Sequence, residues 1–320
     1  MTDDNIMLLA IAAIIFGLGL LIYSADRFVD GASATAQHLG MSPMLIGLTV
    51  VAFGTSAPEM LVSAMAALEG SPGLAIGNAL GSNIANIALV LGATALVSPI
   101  PIRNNLVKVE LPILTIASIG AGLLVLDHYL SLFDSAILMA VLVLCLYLFY
   151  RYQSQHPEDT IEPLNDMSLT KGVLWLVLGL LLLGIGSRIL VEGAVYIATA
   201  MGVSDVVIGL TIIAIGTSLP ELAASIASAR KGEHGLALGN IIGSNLFNLL
   251  GVMAIPALIA PVIIEANVIW RDFGLMMFLT LAIFLVCIKA RNNGTISRFV
   301  GAIGLLIYVM YMLLLYTNAT

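Results

Sequence analysis

The stretch AFGTSAPEML, Ala52–Leu61, places a glycine, two hydroxyl residues, a proline and a carboxylate inside a long apolar run. That run extends from Pro43 to Leu68 and exceeds the roughly 20 mostly apolar residues that a membrane span needs. A near copy, AIGTSLPEL, occupies 214–222. Glycine and proline within such a run predict a discontinuous helix. Irregular backbone at membrane depth persists only where it is buried in protein or lines a cavity, so the motif predicts an internal site.

Composition restricts the class of protein. Of 320 residues, 60% are hydrophobic and only 10% are charged, whereas a soluble domain has about a quarter of its residues charged. The chain cannot cover a water-facing surface, and we expect a multi-pass membrane protein. Its net charge is −7, with most acids in loops and tails, which indicates no nucleic-acid partner. Cys145 and Cys287 lie in apolar runs, as buried thiols do, and indicate neither a disulfide framework nor a zinc site.

The apolar runs predict an all-α membrane protein with ten transmembrane helices. One long polar segment, 152–170, is acidic and is interpreted as a cytoplasmic linker. It separates a first five-helix repeat, 1–151, from a second, 171–320. The predicted spans are 6–34, 43–68, 73–97, 106–126, 130–151, 171–198, 205–229, 235–259, 267–288 and 298–317.

The two halves repeat each other at an offset of 162 residues. At that offset 45–62 falls on 207–224 with ten of 18 positions identical, and 73–92 falls on 235–254 with ten of 20 identical. Low complexity does not produce GTSxPE and GNxxGSNxxN twice at one offset. Because each half has five spans, an odd number, the halves must be inverted relative to each other. Inverted repeats are a recurrent transporter design with the site at the repeat interface near the membrane midplane.

The distribution of Lys and Arg predicts the orientation. Ten of the 12 fall at one face of the predicted bundle, and Arg188 and Arg271 are the exceptions. The positive-inside rule makes that face cytoplasmic. We therefore expect both termini outside, in a protein of the cell (inner) membrane.

The repeated carboxylates Glu59 and Glu221 need a physical explanation. An ionised Glu at the bilayer centre costs about 2.5–3.5 kcal/mol on insertion scales, and no basic residue is predicted at comparable depth. A bound cation explains them best, although a permanently protonated pair stays open. Ser56 to Glu59 also matches a capping box, which would start a helix in the middle of the span. That structural interpretation is compatible with a site, because the capping box would create the break.

A second repeated motif supplies neutral oxygens. In GNALGSNIAN, Asn78, Ser82 and Asn86 recur every fourth residue and share one helix face. The second half repeats this arrangement, and the alternative interpretation is hydrogen bonding between helices. Asn83 and Asn245 lie off this face and are expected behind the ligands. Oxygen-only ligands suit hard cations such as Ca²⁺, and the residue types do not separate Ca²⁺ from Mn²⁺. The second-half face consists of Asn240, Ser244 and Asn248.

At these two motifs the chain resembles the sodium/calcium exchanger family of the cation/calcium antiporter superfamily, in a form without a large regulatory loop. The resemblance covers essentially the whole chain. It implies two inverted five-helix repeats with broken helices 2, 3, 7 and 8 around a midplane cation site. Some similar exchangers carry Asp at the position of Asn248. This chain carries Asn in both halves, as Asn86 and Asn248. Carried over by motif position, the implied ligands are Glu59, Glu221, Asn86, Asn248, Thr55, Ser56, Thr217, Ser218, Ser82, Ser244 and the carbonyls of Ala52 and Ala214.

The expected function is secondary active antiport of Ca²⁺ for Na⁺ by alternating access, with a Ca²⁺/H⁺ antiporter on the same fold as the alternative. No ATP-binding motif is present, and no cofactor, only transported ions, is expected. An intramembrane hydrolase using Ser56 or Ser218 would lack a nearby His or Lys base, so we expect no enzyme. A passive channel is disfavoured by the duplicated site. The expected partners are the ions and the lipid bilayer, with the monomer as the functional unit.

Overall fold

The computed structural model describes residues 3–155, 167–203, 208–291 and 294–319. Among these residues, eight continuous helices are long and apolar enough to cross a membrane, and two bent helix pairs bring the number of spans to ten. The bent pairs are Pro43–Thr55 with Ala57–Leu68 (span 2) and Thr211–Thr217 with Leu219–Arg230 (span 7). The continuous spans are Ile6–His38 (span 1), Pro72–Val97 (span 3), Leu106–Val125 (span 4), Leu132–Gln155 (span 5), Leu169–Ala200 (span 6), His234–Ile259 (span 8), Val268–Lys289 (span 9) and Arg298–Thr317 (span 10).

The expected all-α membrane architecture is confirmed, with one difference in the expected broken helices. Spans 2 and 7 bend by 40° and 52°. Spans 3 and 8, also expected to be broken, run as continuous helices. Each of them instead contains a π-helical stretch, Asn86–Val90 in span 3 and Phe247–Val252 in span 8. A π-helical stretch interrupts the regular i to i+4 hydrogen bonds without turning the chain, and such stretches frequently lie at functional sites.

Equivalent elements of the two halves keep the offset of 162 residues. The short helix Ala52–Thr55 corresponds to Ala214–Thr217, and the helix Ala57–Leu68 corresponds to Leu219–Arg230. The π-helical stretch Gly47–Val51 corresponds to Gly209–Ile213. The repeat seen in the sequence therefore reappears as a repeat of helix boundaries.

Two short β-ribbons lie at opposite ends of the bundle. Strand β1, Ile100–Pro101, pairs antiparallel with β4, Thr295–Ile296, and β2, Tyr129–Leu130, pairs antiparallel with β3, Val262–Ile263. Span 4 separates β1 from β2 by 20 helical residues, which is about 30 Å. β1 and β3 are equivalent in the two halves but occupy opposite ends, as an inverted arrangement requires.

Spans 1 and 6 form a tightly packed antiparallel pair. A Cβ at Gly179 would lie 2.7 Å from Phe28 Cα, and one at Gly17 would lie 2.8 Å from Gly186 O. One at Gly193 would lie 2.7 Å from the carbonyl of Ala10. Only glycine permits such close backbone approach. The two helices therefore contact each other along most of their length.

Most of the remaining spans enclose the larger apolar core. Fully buried side chains such as Ile84, Leu138 and Leu246 belong to it, whereas Phe28 and Leu183 belong to a smaller cluster around spans 1 and 6. Spans 3–5, 9 and 10 thus pack separately from the span 1–span 6 pair, whereas span 8 contributes Leu236 to the smaller cluster.

One end of the bundle, here named the basic end, holds the turns 39–42, 98–105, 231–233 and 294–297. Ser42 Oγ donates to Gln153 Oε1 at 2.9 Å, and Lys231 Nζ pairs with Asp30 Oδ1 at 2.7 Å. Span 5 continues as helix to Gln155 and span 6 begins at Leu169. The expected linker at 152–170 therefore starts later than predicted, and most of it lies outside the described residues.

Candidate functional site

Each bent span turns at the serine of its GTSxPE motif. Ser56 has φ −83° and ψ 0°, and Ser218 has φ −88° and ψ 2°. Both serines precede a helix that has a proline in its first turn, Pro58 or Pro220. Neither serine side chain caps that helix, so the expected capping box is wrong. An N-cap requires extended backbone dihedrals, and these serines lie in the bridge region between the extended and helical conformations.

In each half, the turn is followed by a glutamate that lies in the interior of the bundle. Glu59 is 0% exposed and Glu221 is 1% exposed. All four of their carboxylate oxygens are buried without a hydrogen-bond partner among the described residues. Ion pairs in the described parts of the chain use other carboxylates, among them those of Asp26, Asp30, Glu192 and Asp272. The helix that carries Glu59 packs against the π-helical stretch Phe247–Val252, and the helix that carries Glu221 packs against Asn86–Val90.

The amides of the two π-helical stretches lie in the same buried interior. Asn86 is 1% exposed and Asn248 is 0% exposed, and no amide atom of either has a partner in the described structure. Buried polar atoms are normally hydrogen-bonded. A cluster of unpaired carboxylates and amides is therefore what a site for a hard cation would contain.

Two further asparagines hold the glutamates in place. Asn78 Nδ2 donates to the Glu59 carbonyl at 3.3 Å, and Asn240 Nδ2 donates to the Glu221 carbonyl at 3.3 Å. The same amides also contact Ser63 Oγ at 3.4 Å and Ser225 Oγ at 3.0 Å. These two serines were missed by the sequence reasoning. They are equivalent at the same offset, but they lie just beyond the aligned motif.

The hydroxyl residues differ between the halves. Thr55 is fully buried, and its Oγ1 donates to Asn240 Oδ1 at 3.0 Å and lies 3.3 Å from Ser244 Oγ. Thr217 is partly exposed, and its Oγ1 donates to the carbonyl of Ala214 at 3.2 Å. Thr55 thus joins the two halves, whereas Thr217 bonds within its own helix.

The other predicted ligands also lie near the turns or along the neighbouring spans. Ser56, Ser218 and Ser82 are buried, and the hydroxyls of the first two have no hydrogen-bond partner in the described residues. The carbonyl of Ala52 accepts the Ser56 N–H at 3.0 Å, which leaves the second lone pair of that oxygen for an ion. Asn83 and Asn245 bond elsewhere, to Met276 Sδ at 3.4 Å and to the Ile241 carbonyl at 2.7 Å.

The seam between spans 2 and 8 is closed, and the equivalent seam between spans 7 and 3 is open. A Cβ at Gly243 of span 8 would lie 2.5 Å from Ala52 Cβ and 2.6 Å from the Leu48 carbonyl. A Cβ at Gly81 or Gly77, the equivalent glycines of span 3, would meet none of the described residues within 4 Å. The closed seam adjoins the basic end, because spans 2 and 8 both start there.

A wide, mostly apolar crevice leads to the turns from the other end. Its walls come from 54–62 of span 2, 180–191 of span 6 and 213–220 of span 7. Thr217 lies on its wall. The crevice therefore reaches the two turns from the side away from the basic end, while Glu59 and Glu221 themselves stay buried behind its wall.

The site contains few of the groups typical of transition-metal centres. The described residues include no group of three or more His, Cys, Asp or Glu side chains placed to hold a metal. Two carboxylates with amide and hydroxyl oxygens favour a hard cation.

Comparison with known proteins agrees with this chemistry. The model of the family described as sodium/calcium exchanger protein matches residues 9–153 and 171–317. The chain is 47% identical to a putative antiporter, CaxA, of Alkalimonas amylolytica, over 98% of this chain and 100% of that protein. It is 29% identical to the sodium/calcium exchanger MaX1 of Methanosarcina acetivorans, over 95% of this chain and 97% of that one.

A solved structure is similar over almost its whole length. The sodium-calcium exchanger NCX_Mj, soaked with Na⁺ and Sr²⁺, superimposes with a TM-score of 0.82 at 35% identity, covering 95% of this chain and 97% of that chain. Sequence and fold therefore lead to the same group of proteins.

Proposed function

The chain belongs to the sodium/calcium exchanger protein family, and on that premise we propose that it moves Ca²⁺ across the membrane in exchange for Na⁺. It is a multi-pass membrane protein and a cation/calcium exchanger, not an enzyme. The observation that carries the finer proposal is the pair Glu59 and Glu221, buried together without cationic partners.

The donor set fits one Ca²⁺ or several Na⁺. Two ionised glutamates provide a charge of −2, which one divalent ion neutralises. Together with the amide oxygens of Asn86 and Asn248 they offer six unpaired oxygens, the lower end of the coordination number of Ca²⁺. The hydroxyls of Ser56 and Ser218 add two more oxygens without a partner in the described structure. Neutral oxygens beside each carboxylate favour Na⁺ as the counter-ion.

The proposed cycle is alternating access to a single site. With the crevice open, ions reach the site from the end opposite the basic end. Closing the seam between spans 3 and 7 would occlude the site, and opening the seam between spans 2 and 8 would release the ions at the basic end. Burying an uncompensated charge of −2 in a closed, dry cavity is strongly unfavourable. The empty carrier would therefore not close, which enforces exchange.

Sidedness and assembly complete the proposal. The basic end is proposed to face the cytoplasm by the positive-inside rule, which places both termini outside the inner membrane. Every proposed ligand comes from one chain, which supports a functional monomer with the repeat boundaries 1–151 and 171–320.

The test is ⁴⁵Ca²⁺ uptake into sealed liposomes that contain the purified protein. An outward Na⁺ gradient and an outward H⁺ gradient are applied in parallel. Glu59→Gln and Glu221→Gln are compared with Glu69→Gln, a matched control that removes an exposed carboxylate at the end of span 2. We expect Na⁺-driven uptake in the wild type and the control, and none in the two site variants.

The outcomes separate the alternatives. Uptake driven only by H⁺ would assign the protein to a Ca²⁺/H⁺ branch, in which the same carboxylates exchange protons. Uptake that needs no counter-ion gradient and does not saturate would indicate a channel. Undiminished transport by either site variant would refute the two-carboxylate site.

A further inference from the structure

The break in span 7 leaves one backbone carbonyl without its regular partner. In an uninterrupted helix the Gly216 carbonyl would accept the N–H of residue 220, but Pro220 has no N–H. Ser187, on span 6, supplies a donor: its Oγ lies 2.7 Å from Gly216 O. Ser187 is 7% exposed, and the hydrogen bond lies at the wall of the crevice, which Ser187 and Gly216 both line.

Among the described residues, the first half shows no such bond. The break in span 2 contains the equivalent pair, Gly54 and Pro58. The residue equivalent to Ser187 is Ala25 of span 1, whose side chain cannot donate. Where span 6 passes Gly54, the contact is apolar: a Cβ at Gly54 would lie 2.5 Å from Leu180 Cδ2. A hydrogen bond therefore joins span 6 to the break in span 7, and the described residues show no equivalent bond at the break in span 2.

Span 6 is well placed to transmit a movement to that break. Val191, one turn after Ser187, packs directly against Gly216, so span 6 contacts the break at two successive turns. Spans 1 and 6 are also packed together through Gly179 and Gly193. A shift of span 6 along its axis would carry span 1 with it and would separate Ser187 Oγ from the carbonyl.

We propose that Ser187 is a positioning residue that favours the state with the crevice open, by holding span 6 in register with the break beside Glu221. This inference rests on the proposed function, because it assigns Ser187 to one of the two access states of the exchanger. Ser187 touches no proposed ion ligand side chain in the described hydrogen bonds. Its effect would be on the balance between the states and not on the chemistry of ion binding.

The first experiment compares Ser187→Ala with wild type for Ca²⁺ transport measured from each side of the membrane. Losing one buried neutral hydrogen bond corresponds to a population change of about fivefold. We expect the half-saturating Ca²⁺ concentration on the crevice side to rise by at most about fivefold. On the other side of the membrane it should fall. Ser187→Thr, which keeps the hydroxyl, should restore both values.

A matched control separates this role from a loss of packing. Ser24→Ala removes another buried hydroxyl from the same helix pair, one that donates to the Leu20 carbonyl of its own helix at 2.6 Å. We expect it to leave both half-saturating concentrations unchanged. Equal shifts on both sides in Ser187→Ala, or the same change in Ser24→Ala, would overturn the proposal.

A second readout does not depend on transport. Gly184→Cys adds a thiol to the crevice wall at a position where a Cβ meets nothing within 4 Å, and the natural cysteines Cys145 and Cys287 are buried. Combining it with Ser187→Ala should slow labelling by a membrane-impermeant thiol reagent from the crevice side. If the wild type moves no Ca²⁺, the proposed function fails, and an unchanged labelling rate would separately overturn the role of Ser187.

Discussion

Adding one methyl group at Gly81 should hold the exchanger in the state described here. In this state a Cβ at Gly81 meets nothing within 4 Å, whereas at the equivalent Gly243 it would lie 2.5 Å from Ala52 Cβ. If the two seams alternate, Gly81 will meet span 7 as closely when its seam closes. Overpacking of that kind costs about 1–3 kcal/mol. It would destabilise only the state in which the seam between spans 3 and 7 is closed. The equilibrium should shift toward the open state by roughly 5- to 150-fold.

The assay is Na⁺-driven ⁴⁵Ca²⁺ exchange by Gly81→Ala in liposomes, with Gly120→Ala as the control. Gly120 lies in span 4, and a Cβ there also meets nothing within 4 Å, so both changes share the same gain in helix propensity. Turnover should fall in Gly81→Ala alone, while its thermal stability equals that of the control. Wild-type turnover in Gly81→Ala would refute the idea that this seam closes during transport.

Two further predictions concern stability. Asn240→Ala should destabilise the protein by about 1 kcal/mol more than Asn78→Ala, because Asn240 also accepts from Thr55 at 3.0 Å; equal melting temperatures would contradict this. Burial raises the pKa of the Glu233 carboxyl in the turn before span 8, so the folded protein favours its protonated form and loses stability as the pH rises from the ordinary Glu pKa through the raised one. Glu233→Gln should remove that loss in melting curves recorded against pH, while Glu69→Gln keeps it.

The apolar runs were sufficient to predict the ten spans, and the repeated motif was sufficient to predict the breaks in spans 2 and 7 and the burial of Glu59 and Glu221. Glycine, proline and carboxylate in one apolar run have few other physical explanations. The π-helical stretches at Asn86 and Asn248 could not be predicted in this way, because they depend on packing around ordinary apolar residues. The capping-box prediction failed because the preceding short helix fixes the backbone of Ser56 outside the extended region. The contacts of Ser63 and Ser225 with the asparagine amides could not be predicted, because a serine one turn after a motif is common in helices.

The access state itself could not have been predicted from the motifs, and the reason bears on mechanism. Gly77 and Gly81 have nearly the same sequence context as Gly239 and Gly243, yet among the described residues only the second pair is packed against backbone. Such similar motifs have little intrinsic preference for which of them is packed, so closing the open seam and opening the closed one should differ little in energy. Residues that differ between the halves must then set the balance. Ser187, whose equivalent in the first half is the apolar Ala25, is such a residue at the break in span 7. The free energy of one hydrogen bond is comparable to the free-energy difference between two access states that an exchanger can have while still populating both.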